Sequence, residues 1–552
     1  MRAPCLESLE LRLLLSTLGP GQTAIVDVGG VLVNNGPVPV DYGDVVDGAL
    51  TVTLMADGAK FITNLPAAVG GDFVLDAAKV GVAVRYRNVL YRAVAGDTTA
   101  TVGAINRFDV GVGDLDATTL TGGIGAILLG DGDLDAVSSA AAIGEIRAKG
   151  DILGTVSALG DIGLVSAGRI IGSVESSGQI AKLAVDEITG AVQAAGIGDL
   201  LAGAITGGAV AVTGNVGRLW ADTITGAADI DVYGSVQLLR AKTISAGENA
   251  GLWITIDGDL AKLQVGLIDG GQAVGDWAMA ATTLEVDGSI GIFDAGLITG
   301  GTAEGQGSQA FVQFYVGTYL DNGTVDGGDI GSLRAAAITG GESSGGGNTW
   351  VMFDIRHDLV DARVGQIVGS ATDTPGTASS VQFYVANDVC HLAAGLISGG
   401  TAVSQFDESG NLLYSGAAYV AIFAFNDIQE LTAVRIDGGT AVGEEADAEV
   451  LISASNDIDF IRVNEITGGD GGIVTIDAGN DIVSMVVNRI VLTADGEISI
   501  QAGGDITLDV KQVRDWDLVG ADGLQITAGG VVTDVRGTLT EFIDEVVVSD
   551  PV

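Results

Sequence analysis

The chain has 552 residues, 47% hydrophobic but only 5% aromatic, enough apolar material for a long thin core. Its formal charge of −46, with 71 Asp and Glu against 25 Lys and Arg, disfavours nucleic acid and anionic membranes as partners. Two cysteines exclude a disulfide framework, and no apolar run reaches the roughly eighteen residues of a transmembrane helix.

Residues 1–20 contain "LESLELRLLLS" at 6–16, too short and too charged for a standard signal peptide. Leu9, Glu10, Arg12, Leu14 and Leu15, followed by Ser16, resemble the LEPR-xLL motif near the start of large secreted or surface proteins of planctomycete-type bacteria. Leu11 stands where that family has Pro. The resemblance implies export or surface sorting, hence an extracellular or cell-surface location, and no activity. Residues 21–120 hold strand-like runs such as "TAIVDVGG" and "GALTVTLMA", which predict a small β-rich domain or an irregular cap.

Residues 121–503 are dominated by one repeated phrase. Fourteen-residue copies start at Gly160, Gly178, Gly214, Gly234, Gly258, Gly288, Gly328, His357, Asn387, Asn426, Asn456 and Asn480. Their third, sixth, eighth and eleventh positions are apolar. The eleventh is Ile in all twelve: Ile170, Ile188, Ile224, Ile244, Ile268, Ile298, Ile338, Ile367, Ile397, Ile436, Ile466 and Ile490. Offsets of 3, 6, 8 and 11 scatter around a helix, which needs i, i+3, i+4, i+7. The step of two is that of a strand, and the steps of three are bends. Gly, Asn or His at the first position predicts a left-handed corner.

Runs before the corners, such as "VQFYV" at 312–316 and 381–385 and "WVMFDI" at 350–355, alternate. They predict a further strand, with Val312, Phe314, Val316, Val351, Phe353 and Ile355 inward. The interval of 36 between Gly178 and Gly214 predicts a degraded copy near Gly198. No single copy can bury its apolar side alone, so the copies must stack. We read an all-β, right-handed parallel β-helix, a β-solenoid, whose hand rests on the usual crossover rule. Residues 504–552 supply a last coil and a C-terminal cap over the final sheet edge. The repeated body also resembles β-helical adhesins and passenger domains.

Sites are sparse. "DIRHDLVDARV" gathers Asp354, Arg356, His357, Asp358, Asp361 and Arg363, with His391 one coil on, as a candidate catalytic cluster of a polysaccharide lyase or hydrolase. Against that, His357 and Asp358 occupy repeated corner positions and suit turn building better than catalysis. Asp388, Asp427, Asp457 and Asp481 belong to a column of like charges about one strand spacing, roughly 4.8 Å, apart. Their repulsion needs an offset, either backbone N–H groups in local Asx turns or shared calcium. Asp131, Asp133 and Asp135 of "GDGDLDA" are a second calcium candidate.

The expectation is a non-enzymatic secreted or cell-surface solenoid with a structural, adhesive or extracellular-matrix role and no cofactor other than calcium. Its partners would be cell-surface or matrix components, polysaccharide among them, or further copies of itself. The alternatives are a polysaccharide-binding or polysaccharide-cleaving β-helix and a self-assembling fibre or surface-layer subunit. Convergence of the aromatics and carboxylates of residues 311–363 in one groove would favour carbohydrate.

Overall fold

The computed structural model describes residues 114–119, 122–318, 328–369, 377–404, 416–443, 446–493, 495–514 and 523–539; outside these, only the backbone of some strands is defined. No helix occurs among the described residues, and the principal strands stack in parallel, coil on coil, as a β-solenoid. The chain falls into two compact units, Met1–Ala221 and Asp222–Val552.

In the first unit the coils are short. Ile124, Ile143, Ile162, Ile180 and Ile197 are successive register partners, 17–19 residues apart. One strand, Ser173–Ile188, covers most of a coil. Ile197, Leu200, Ala202 and Ile205 pair with Ile180, Leu183, Val185 and Ile188, so the degraded copy completes the file where the spacing predicts it.

In the second unit each coil has two principal strands. The fourteen-residue phrase forms the first, as in Ile458–Thr467, where Ile458, Ile461, Val463 and Ile466 are buried. Each step of three places two residues outside a bend before the next side chain returns to the core. Ile244, Ile268, Ile298, Ile338, Ile367, Ile397, Ile436, Ile466 and Ile490 are paired in unbroken succession. All twelve repeat isoleucines are 3% exposed or less. Each contributes about 1.5–3 kcal/mol of burial before entropy is counted.

The second principal strands are Met279–Val286, Gln309–Val316, Asn348–Ile355, Ala378–Val385, Ala417–Ala424 and Asp447–Ala454, stacked in that order. Val312, Phe314, Val316, Val351, Phe353 and Ile355 face inward as the alternation predicts. Phe314, Phe353 and Phe383 stack in the core with ring centroids 4.6 Å apart at each step.

The corner differs from its sequence-level expectation. Of the twelve first positions only Gly328 has a positive φ; the Asn and His corners do not. The left-handed residue is instead the second Gly of the closing Gly-Gly pair, such as Gly301 at φ 89°. Glycine opens the corner at Gly288 for want of space, because a Cβ there would lie 2.5 Å from Asp259 Oδ1 of the preceding coil.

Parallel pairing continues past residue 504. Leu524–Ala528 pairs with Glu497–Ala502, and Val546–Val548 pairs with Leu524–Ala528. Between residues 16 and 112 strand backbone is defined with both antiparallel and parallel pairs, and Phe73–Asp76 pairs in parallel with Thr98–Val102. Residues 6–15 of the sorting segment and the side chains of the N-terminal and extreme C-terminal caps lie outside the described residues.

Candidate functional site

The corner aspartates form ladders between coils. Asp329 Oδ1 accepts the Asp358 N–H at 3.1 Å, and Asp358 Oδ1 accepts the Asp388 N–H at 3.0 Å. Asp388, Asp427, Asp457 and Asp481 continue the series, accepting the N–H groups of Asp427, Asp457, Asp481 and Asp505 at 3.2, 3.1, 3.0 and 2.6 Å. Each of these carboxylates thus faces a backbone donor, which belongs to the next coil rather than to a local Asx turn. Charge-assisted bonds of this kind are stronger than neutral ones.

The first corner residue completes the ladder from its side chain. Asn387 Nδ2 donates to Asp358 Oδ1 at 2.7 Å, and Asn426 Nδ2 to Asp388 Oδ1 at 2.6 Å. His357 does the same work for Asp329, with Nδ1 and Oδ1 2.6 Å apart, and lies 3.3 Å from Asp358 Oδ2. The hydrogen bond to the Asp329 carboxylate raises the His357 pKa; partial burial opposes this, and Asp358 adds to the rise. Among the described residues, Asp329, His357 and Asp358 offer donor atoms within 4.8 Å of one another, a spacing that could hold a cation.

The six-residue catalytic candidate does not converge. Asp354 points outward from strand Asn348–Ile355 and is ion-paired with Arg356; burial raises its pKa, partly countered by that guanidinium. His357 and Asp358 sit at the corner that follows. Asp361 lies beyond it, 2.8 Å from His391 Nδ1 and 3.2 Å from Arg363 Nε. Burial pushes the Asp361 carboxyl upward, but His391 and Arg363 together outweigh it and hold it below the ordinary range. The three groups thus belong to three successive stations of the coil, each with its own partners.

The "GDGDLDA" carboxylates are spread along another corner. Asp133 Oδ1 accepts the Asp151 N–H at 2.7 Å, Asp131 lies 3.5 Å from Lys149 Nζ, and Asp135 is exposed on the following strand. Asp151 in turn accepts the Arg169 N–H at 2.9 Å, so the first unit carries an aspartate ladder of the same design.

What does converge is aromatic. The outward positions of the second principal strands bring Phe311, Trp350, Ser380 and Tyr419 into one register column, and Tyr315, Asp354, Tyr384 and Phe423 into the next-but-one. Phe311 and Trp350 stack with centroids 4.3 Å apart and planes within 9°; Tyr384 and Phe423 stack at 5.3 Å. Between these columns Gln382 donates to Ser380 Oγ at 3.0 Å and to the Tyr419 hydroxyl, and its Oε1 accepts the Tyr384 hydroxyl at 2.9 Å. A groove of about 370 Å³ opens here, lined among others by Asn348, Trp350, Met352, Ser380, Gln382 and Tyr419.

The alternation of "VQFYV" and "WVMFDI" already assigns Tyr315, Trp350 and Asp354 to the outer face. The pairing of Ser380 with Tyr419 is not legible, because 38 residues of variable loop and strand separate them. Comparison of the chain with protein families, with curated proteins and with solved structures yields no match.

Proposed function

We propose that this protein is a non-catalytic β-solenoid that serves as a structural or adhesive scaffold at the cell surface or in the extracellular matrix. The observation that carries this reading is the occupation of its corner carboxylates. The aspartates that repeat along the solenoid accept backbone N–H groups of the following coil, as Asp358 does from Asp388. Their chemistry is spent on holding coils together. Of the candidate cluster, Asp354 is paired with Arg356 and Asp361 with His391 and Arg363. Asp437 and Glu465 are likewise bridged by Arg435 and Arg489 in one ion-pair network, so these carboxylates already hold cationic partners. The acidic surface keeps such a scaffold soluble and self-repelling, and the resemblance of residues 6–16 to the LEPR-xLL motif agrees with an exported role.

The test is turnover on neutral and acidic polysaccharides, with Asp358→Asn and His357→Asn beside the unaltered chain. The expected result is no cleavage by any of the three and a slight change in stability for the variants. Robust cleavage lost in either variant would make the protein an enzyme.

A further inference from the structure

The groove at Trp350 is built to the thickness of a ring. Trp350 and Tyr419 occupy the same register column two strands apart, with Ser380 between them. Two strand spacings are roughly 9.5 Å, about twice the 4.3 Å at which Phe311 and Trp350 stack. Where the column would carry a third ring it carries a serine, 5% exposed, at the floor of the groove. One ring can therefore enter between Trp350, backed by Phe311, and Tyr419.

The edges of that slot are polar and fixed in place. Gln382 is held by Ser380 and by the hydroxyls of Tyr384 and Tyr419. Asn348 and Met352 line the remaining sides. Glu449, the register partner of Tyr419 on the next strand, lies behind that ring and outside the slot. The flanking rings extend the platform along the stack: Phe311 on one side, and Tyr384 with Phe423 alongside.

We infer that the outer face of strands Gln309–Val316, Asn348–Ile355, Ala378–Val385 and Ala417–Ala424 binds an uncharged polysaccharide, one sugar ring seated between Trp350 and Tyr419 over Ser380. A pyranose offers apolar C–H faces to two aromatic rings and hydroxyls at its rim to Gln382 and Asn348, the amides that line the slot. A nucleobase would also stack, but its phosphates meet a chain of formal charge −46. Acidic glycans are rejected on the same ground, since no Lys or Arg lines the groove. The inference rests on the scaffold reading, in that the face holds glycan without cutting it.

The experiment is calorimetric titration of the full chain with cellohexaose, chitohexaose and oligogalacturonate, with chromatography of the sugars afterwards. The expected result is saturable binding of a neutral hexasaccharide, weak or no binding of the galacturonate, and intact sugars. Trp350→Ala and Tyr419→Ala should each weaken binding roughly tenfold or more, the loss of one stacking anchor. Ser380→Phe should close the slot and abolish binding, and melting curves run beside it separate loss of the site from any loss of stability. Trp220→Phe, in the other unit, should change nothing. Absence of binding to both neutral hexasaccharides, a preference for galacturonate, or binding indifferent to Ser380→Phe would each overturn the inference. Binding accompanied by cleavage would uphold the glycan site and overturn the scaffold reading.

Discussion

The coils between Ile124 and Ile205 and those between Ile298 and Ile436 obey the same core rule and differ in nearly everything outside it. In the first stretch equivalent residues recur every 17–19 positions, and residues 114–219 contain no aromatic side chain. In the second, Ile298, Ile338, Ile367, Ile397 and Ile436 are 29–40 residues apart, yet they pair just as directly. The added length leaves the core at the Gly-Gly turn. Part of it stacks on its own account: Gln272–Val274, Thr302–Glu304 and Glu342–Ser344 make a separate three-stranded sheet. The lesson is that a solenoid core constrains only its inward positions. Coil length and outward side chains are free to vary, and rings and polar anchors accumulate where the coils are long.

If the core rule is shared, aliphatic truncations in the two stretches should cost the same. Ile180→Ala and Ile367→Ala, both fully buried, should each lose about 2–5 kcal/mol in denaturant melts, and Phe353→Ala, within the ring stack, about 3–5. A much smaller loss at Ile367 would mean that long coils relax around a cavity where short ones do not, and the comparison would fail at its base.

The ladders should show a graded difference. Asp388 accepts the Asp427 N–H and the side-chain amides of Asn426 and Gln429, whereas Asp161 accepts the Gln179 N–H. Asp388→Ala should therefore cost about 1–3 kcal/mol and Asp161→Ala nearer 1 kcal/mol. Asp388→Asn, which keeps an acceptor oxygen, should cost less than Asp388→Ala. Chelation should leave the melting temperature of the unaltered chain in place. Shared calcium would instead add about 2.7 kcal/mol at a hundredfold excess over Kd, and a calcium-selective rise removed by Asp388→Ala would assign the ladder to metal.

The smallest effect concerns pH, and it belongs to the second stretch alone, which holds both histidines. The folded state raises the His357 pKa above 6.5 through Asp329. Its contribution is thus fully present below about pH 6.5 and is lost as pH rises through the folded value. The group is half exposed, so screening keeps the term under about 1 kcal/mol. Melting curves of the unaltered chain and of His357→Asn should differ most below about pH 6.5 and converge as pH rises through the folded pKa. A gap that widens with pH would reverse the sign and remove Asp329 as the partner.

The twelve isoleucines and the inward Phe314 and Phe353 were legible because burial leaves a period in the sequence: a residue that must return to the core every coil is seen to return. For the same reason the sequence predicted the missing copy completed by Ile205. The corner was half legible. Its Gly, Asn and Asp residues announce a turn, but the choice between a local Asx turn and a bond to the next coil depends on which backbone N–H lies above which carboxylate. That is a property of stacking. The left-handed residue was misplaced because glycine serves close approach at Gly288 and backbone conformation at Gly301, and composition cannot tell the two apart. The slot was illegible altogether. Trp350, Ser380 and Tyr419 are brought into one column by strand pairing across loops of unequal length, and no periodicity within the chain records how far apart two outward residues will stand. The sequence by itself determined which side chains face inward; only the stacked coils decided which outward ones become neighbours, because solvent-facing positions carry no burial constraint to write their spacing into the chain.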